Sequence, residues 1–248
     1  MLKLLRRLLL AGAGPAEPVV LQQWAHEHGH RFRRVHAAQG CVIEGQQGAQ
    51  PWRIEWGASQ RSYIDGFELR MIAELDLPHA LMAMVLNRSL MALMEQTVYE
   101  QFVDDVQTRI DTSAPSEMRW LVMYTKLGPA ELGRLQGRYG AVCSVAPWLQ
   151  QWLTGPLSDA LMATVDMVRA DQPVTLSIAR GRLTLRTLLP HPDTAALAVW
   201  FSVFEQALRE ARRLGTEWRS ASGAGLTTQP NAWSNSELVR GAAQRVIA

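Results

Sequence analysis

The sequence predicts an α+β fold, an antiparallel sheet built from two hairpin regions packed against long amphipathic helices. Three observations carry this. Pro51-Trp52-Arg53-Ile54-Glu55-Trp56 alternates apolar and charged residues, the pattern of a strand with one buried and one wet face. Residues 174–178 and 182–186 are β-rich runs separated by Ala179-Arg180-Gly181, a hairpin signal. Residues 88–110 and 193–214 repeat apolar side chains at helical spacing, as a helix with one buried face does.

The elements follow in chain order. Residues 1–10 set Lys3, Arg6 and Arg7 on one helical face and Leu2, Leu4, Leu5, Leu8 and Leu9 on the other. A basic amphipathic helix of this kind suits an anionic lipid surface or another protein, with a frayed end as the third alternative. On the lipid reading, Leu2, Lys3, Leu5, Arg6, Arg7 and Leu9 make the membrane-surface contact. A signal peptide keeps its charges ahead of an unbroken apolar core, and Arg6-Arg7 interrupts this one. The Ala/Gly/Pro-rich residues 11–18 read as a linker, so residues 1–18 form one module. Residues 19–215 form the α+β domain, or two α+β halves sharing a core, and residues 216–248 a flexible tail with a weak final helix.

Within the domain, residues 19–25 read as a short helix that Gly29 stops. Strands 40–45 and 51–56 flank the loop Gln46-Gln47-Gly48-Ala49-Gln50. Residues 67–71 and 81–86 add a third and fourth strand to an antiparallel meander. In the helix that follows, Leu90, Met94, Val98, Phe102 and Val106 form a stripe that Leu93 broadens. Beyond Pro115, residues 118–124 read as a short buried strand. Helices at 129–139 and 156–170 surround an apolar segment at 142–153. The last long helix carries Leu197, Trp200, Phe201, Phe204, Leu208 and Ala211 on one face, with Asp193 as its N-cap and Gly215 as its stop.

Composition narrows the function classes. The chain has 248 residues, 48% hydrophobic and 19% charged, which excludes disorder throughout. A net charge of +2 is too balanced for nucleic acid as the main partner. The clusters Arg31, Arg33, Arg34 and Arg209, Arg212, Arg213 read as solvated faces. Cys41 and Cys143 sit among apolar residues with no C-x-x-C neighbour, as buried reduced thiols of a cytoplasmic protein do. No stretch approaches the roughly 20 apolar residues that span a bilayer. Of the nine tryptophans, Trp52 and Trp56 read as a core face, with a sugar-stacking platform as the alternative.

One run resembles a catalytic pattern. His26-Glu27-His28-Gly29-His30 fits H-E-x-x-H, and His36 lies six residues beyond His30. This resembles the metzincin zinc-peptidase signature, with Arg33 where that family has glycine. The resemblance implies zinc held by His26, His30 and His36, with Glu27 as general base. The residues argue against it. Gly29 stands between the two helical ligands and stops the helix, which puts His30 off the face of His26. Asp104 and Asp105 are adjacent on a helix and point apart, and no P-loop, Rossmann or G-x-S-x-G pattern is present.

The sequence reading is therefore a non-catalytic interaction or adaptor protein with no catalytic residue, no metal site and no cofactor. Its expected partners are a protein and an anionic membrane surface. Ala/Leu/Arg-rich usage points to a bacterial cytoplasm, with the protein peripheral at the inner membrane. The alternatives are a degenerate zinc hydrolase and a small-ligand or carbohydrate binder using Trp52 and Trp56.

Overall fold

The computed structural model describes residues 18–35, 40–104 and 115–224. The basic segment 1–10, His36, Val106 and everything beyond residue 224 lie outside the described residues. Helix α1 (Val19–Glu27) leads into strands β1 (Arg31–Val35), β2 (Gly40–Gln47), β3 (Gln50–Ala58), β4 (Phe67–Glu74) and β5 (Met82–Asn87). Helices α2 (Arg88–Asp104) and α3 (Ser116–Met123) follow, then the two-residue β6 (Thr125–Lys126) and α4 (Pro129–Leu132). A 3-10 turn (Gly133–Gly137) precedes β7 (Tyr139–Cys143), α5 (Ala146–Trp152) and α6 (Pro156–Ala163). The hairpin β8 (Val174–Ala179) and β9 (Arg182–Leu188) leads to the long α7 (Thr194–Ala224).

All the described strands form one antiparallel sheet of nine, in the order β1-β2-β3-β4-β9-β8-β5-β7-β6. The two hairpin regions meet where β4 pairs with β9, and β5 is inserted between β8 and β7. Register sorts the side chains onto two faces. Ile43, Ile54, Met71, Leu185, Leu176, Val85 and Ala141 lie in one row across seven strands. This row and its neighbours form the main core with Leu21 and Trp24 of α1, Trp148 and Trp152 of α5, Leu157 and Leu161 of α6, and Trp200, Phe204 and Leu208 of α7. Trp152 Nε1 donates to the Ala207 carbonyl at 3.0 Å, which keeps the indole nitrogen satisfied inside that core.

The second face is apolar only at one end. Met82, Met84, Leu86 and Val142 are covered there by Leu90 and Met94 of α2 and by Met118 and Leu121 of α3. Covered on both sides, β5 is buried at all six positions, which explains the unbroken apolar run from Met82 to Leu86. The buried Asn87 that ends it is hydrogen-bonded to the Ala170 carbonyl and the Val174 amide. Across β3, β4 and β9 the same face carries charge instead. Glu55, Arg70 and Arg186 stand opposite one another in register.

Several local expectations change. Residues 118–124 form helix α3 up to Met123 rather than a strand, because Met118 and Leu121, three apart, both reach the methionine-rich patch. The predicted helix over 129–139 breaks at Gly133 (φ +53), and Tyr139 already belongs to β7. The apolar segment 142–153 divides between β7 and α5, and α6 ends at Ala163. Leu93 does not broaden the buried stripe of α2, being 52% exposed. The loop between β2 and β3 shortens to Gly48-Ala49, with Gly48 at φ +62. Gly215 holds helical backbone and α7 runs on to Ala224. A glycine inside a helix costs about 1 kcal/mol without forbidding it. Contacts group the chain as one unit up to Leu214, with a second beginning at Gly215.

Cys41 and Cys143 are both free and buried, on β2 and β7. Six strand spacings separate them, roughly 25–30 Å at the usual inter-strand distance and far beyond disulfide reach.

Candidate functional site

The charged part of the second face is a network of buried ions. Arg186 of β9, 8% exposed, donates Nη1 to Glu68 Oε1 of β4 at 2.7 Å, and Glu68 is 3% exposed. Arg70 pairs with Glu55 across the β3–β4 ladder and lies 3.7 Å from the same Glu68 oxygen. Burial, with the charges of Arg186 and Arg53, pushes the Arg70 pKa down to about 10. Glu68 Oε2 and Arg70 Nε are buried with no hydrogen-bond partner among the described residues. Both residues line a pocket of about 170 Å³ whose other walls come from β3, the end of β1 and the start of β2.

A second network ties α3 to the sheet. Arg61, in the β3–β4 connection, donates Nε to both carboxylate oxygens of Glu117 at 2.9 and 3.1 Å. Burial opposes the Arg61 charge, but the Glu117 carboxylate outweighs it and holds the pKa above its ordinary value. Burial and Glu117 together raise the phenol of nearby Tyr63.

Between these networks opens a cleft of about 480 Å³ lined by five arginines: Arg61, Arg119, Arg180, Arg182 and Arg186. Trp120, Tyr124 and Glu117 of the α3 segment form one wall, and Ser177, Thr184 and the β8–β9 turn form the other side. Arg186 and Arg61 are engaged by Glu68 and Glu117, and Arg182 pairs with Glu74 at 2.7 Å in an exposed contact. Arg119 and Arg180 have no ion-pair or hydrogen-bond partner among the described residues.

The backbone at Arg180 is unusual. Arg180 (φ +54) and Gly181 (φ +71) make the two-residue β8–β9 turn, and Arg180 is the one non-glycine residue at positive φ among those described. Such a turn favours Asn-Gly, because a long side chain in the left-handed region is strained. Glycine suits position 181 on two counts, its positive φ and the crowding that a Cβ would meet at the Leu75 carbonyl, 3.0 Å away.

A guanidinium is permanently charged, donates in a planar fork and accepts nothing. A cleft of this composition can therefore hold carboxylate or phosphate oxygens bidentately.

The residues singled out from sequence lie elsewhere. α1 ends at Glu27, so His26 is on the helix and exposed, while His30 follows Gly29 (φ +68) and leaves that face. The His30 ring meets Trp52 edge-on at 4.7 Å and Trp24 at 5.6 Å, and His28 stacks on Trp24 at 4.4 Å. Burial and the neighbouring His28 lower the His30 pKa. Glu27 accepts a hydrogen bond from Gln23 Nε2 at 2.8 Å. The helical premise of the H-E-x-x-H reading thus fails, and among the described residues no three His, Cys, Asp or Glu groups come together as a metal site would need. Trp52 and Trp56 are each 3% exposed, so they line the core and offer no stacking platform for a sugar. Trp56 Nε1 donates to the Leu189 carbonyl at 2.8 Å.

Sequence reasoning missed the arginine cleft because its arginines come from three separate segments, the β3–β4 connection, α3 and the β8–β9 hairpin. Two local signals pointed to it. Arg182 and Arg186 alternate with Leu183 and Leu185, which marks them as wet-face residues, and Arg180 precedes a turn glycine where asparagine fits better.

Comparison with known proteins finds no matching protein-family model and no matching curated protein. Among solved structures, the chain is similar to the crystal structure of the mycobacterial trehalose monomycolate transport factor A, TtfA, with a TM-score of 0.44 and 7% identity over 78% of this chain and 92% of that one. A similarity at that level decides nothing about function. Among the described residues no helix is long and apolar enough to cross a membrane.

Proposed function

We propose that this is a non-catalytic interaction protein whose arginine cleft receives an anionic group of its partner. One observation carries the reading: Arg119 and Arg180 line the same cleft as three other arginines and have no acidic partner among the described residues. Three of the five are already paired, so the charges of Arg119 and Arg180 are the ones an anion placed in the cleft would offset. Arginine in place of lysine favours planar, two-oxygen acceptors. Titration of the full chain with inorganic pyrophosphate at low ionic strength tests this. Binding should weaken about tenfold when Arg119 and Arg180 are both changed to alanine, a loss of about 1.4 kcal/mol. No binding at low salt, or binding indifferent to both changes, overturns the reading.

A cytoplasmic position peripheral to the inner membrane is also proposed, through Leu2, Lys3, Leu5, Arg6, Arg7 and Leu9. What supports it is the segregation of basic and leucine side chains over residues 1–10, and the two unpaired buried cysteines, which suit a reducing compartment.

A further inference from the structure

We propose that the group entering the cleft belongs to an acidic peptide segment of a protein partner, and that an apolar side chain of that segment lies on Met123 and Trp120 beside the arginines. This rests on the reading of the cleft as an anion site and names its occupant.

The argument starts from α3. Its inner face is fixed by Met118 and Leu121 in the methionine-rich patch and by the Glu117–Arg61 pair. Its remaining surface is therefore held in place. Met123 lies four residues after Arg119 and three after Trp120, so the three share one side of the helix, and Tyr124 follows in extended backbone at its end. Arg119, Trp120 and Tyr124 line the cleft, and Met123 is 66% exposed. Arg119 and Trp120 thus stand side by side in the cleft wall, and the exposed Met123, one turn further along the helix, extends their surface beyond it. Methionine is an adaptable contact for aliphatic and aromatic groups, and arginine beside aromatic rings is the usual composition of a protein-binding centre.

Charge complementarity selects the occupant. Among the described residues, the cleft lining carries five arginines and one acid, Glu117. Arg182–Glu74 is an exposed pair that an incoming carboxylate exchanges at little cost. A flat bilayer does not reach Arg186, which is only 8% exposed. A long regular polyanion such as nucleic acid sets a phosphate opposite Glu117 as well as opposite the arginines, whereas a peptide can set an uncharged residue there. Separate carboxylates on short stems, spaced by apolar residues, avoid both obstacles.

The test uses the full chain and a fluorescently labelled short peptide of glutamates interspersed with leucines. A control peptide has serine at each leucine, and inorganic pyrophosphate serves as the small anion. By anisotropy at low salt, the glutamate–leucine peptide should bind roughly fivefold or more tightly than the serine control. Met123→Ser should abolish that advantage while leaving pyrophosphate affinity unchanged. Arg119→Ala with Arg180→Ala should weaken all three ligands. Equal affinity of the two peptides, or an advantage that survives Met123→Ser, overturns the peptide proposal while the pyrophosphate result keeps the anion site. Pyrophosphate binding indifferent to the arginine changes removes the site itself. Phosphatidylglycerol vesicles that compete with the peptide, and that lose binding in the arginine variant, place a lipid headgroup in the cleft and likewise overturn the peptide proposal. Thermal melting of each variant confirms that it is folded.

Discussion

Arg180 concentrates the residue-scale problem, since it holds a left-handed backbone that glycine or asparagine adopts more easily. The strain is about 1 kcal/mol, and its persistence points to a role for the side chain. Arg180→Gly should therefore raise the melting temperature by about 2–4 °C while weakening pyrophosphate binding. A variant that is less stable, or that binds as well as the parent, contradicts the assignment. His30 supplies a second residue-scale test. Its folded pKa lies below the ordinary 6.5, so the unfolded chain takes up the proton first. Stability from this group is complete above 6.5 and falls as the pH drops through the window beneath it. Melting temperature should decrease from neutral pH to about pH 5.5, and the decrease should be smaller in His30→Gln. Identical pH profiles for parent and variant would show that packing against Trp52 does not perturb this imidazole.

At the scale of elements, strand β3 is the clearest case of a pattern that predicts its own environment. Trp52, Ile54 and Trp56 face the core, and Arg53 and Glu55 face outward, paired at 2.7 Å. Ile54→Asp should cost several kcal/mol, enough to unfold the domain, because it buries a charge with no partner. Arg53→Asp should cost no more than about 1 kcal/mol, the worth of a half-exposed ion pair. Denaturant unfolding of both variants measures the contrast, and similar losses for the two would mean that the strand faces are reversed. Elements without a period of their own were less legible. Residues 118–124 are a short apolar run that fits a strand or a helix locally, and only the methionine-rich patch beneath Met118 and Leu121 selects the helix. Strand β7 was hidden for a related reason. Its residues Tyr139–Cys143 follow a 3-10 turn directly, so no loop composition separates them. Gly215 likewise reads as a stop, yet α7 passes through it.

For the whole molecule, the two hairpin regions form one continuous sheet, because β4 pairs with β9 along seven residues. The site depends on that pairing, which sets Glu68 of β4 beside Arg186 of β9. The body also carries a proposed address at its beginning. The full chain should float with anionic vesicles at low salt, with Lys3, Arg6 and Arg7 each adding about 1 kcal/mol. Flotation should weaken at high salt and vanish when residues 1–10 are deleted. A full-length protein that ignores such vesicles at low salt excludes the membrane role and leaves the leucine face to a protein surface.

The sequence by itself determined the fold class, the two hairpins, the buried side of β3 and the N-cap of the last helix, where Asp193 Oδ1 accepts from the Ala195 and Ala196 amides at 2.8 and 3.1 Å. Each of these is written within a few neighbouring residues, as a period of two, a helical stripe or a capping side chain. It also showed that Gly29 separates His26 from His30. The order of the strands and the arginine cleft were decided only by the tertiary structure. Arg61, Arg119, Arg180 and Arg186 are up to 125 positions apart, counting from residue 61 to residue 186. They become neighbours through strand register and through the seating of α3 on the methionine-rich patch. Such pairings are set by the packing of all the elements together, and no local window of the chain contains them.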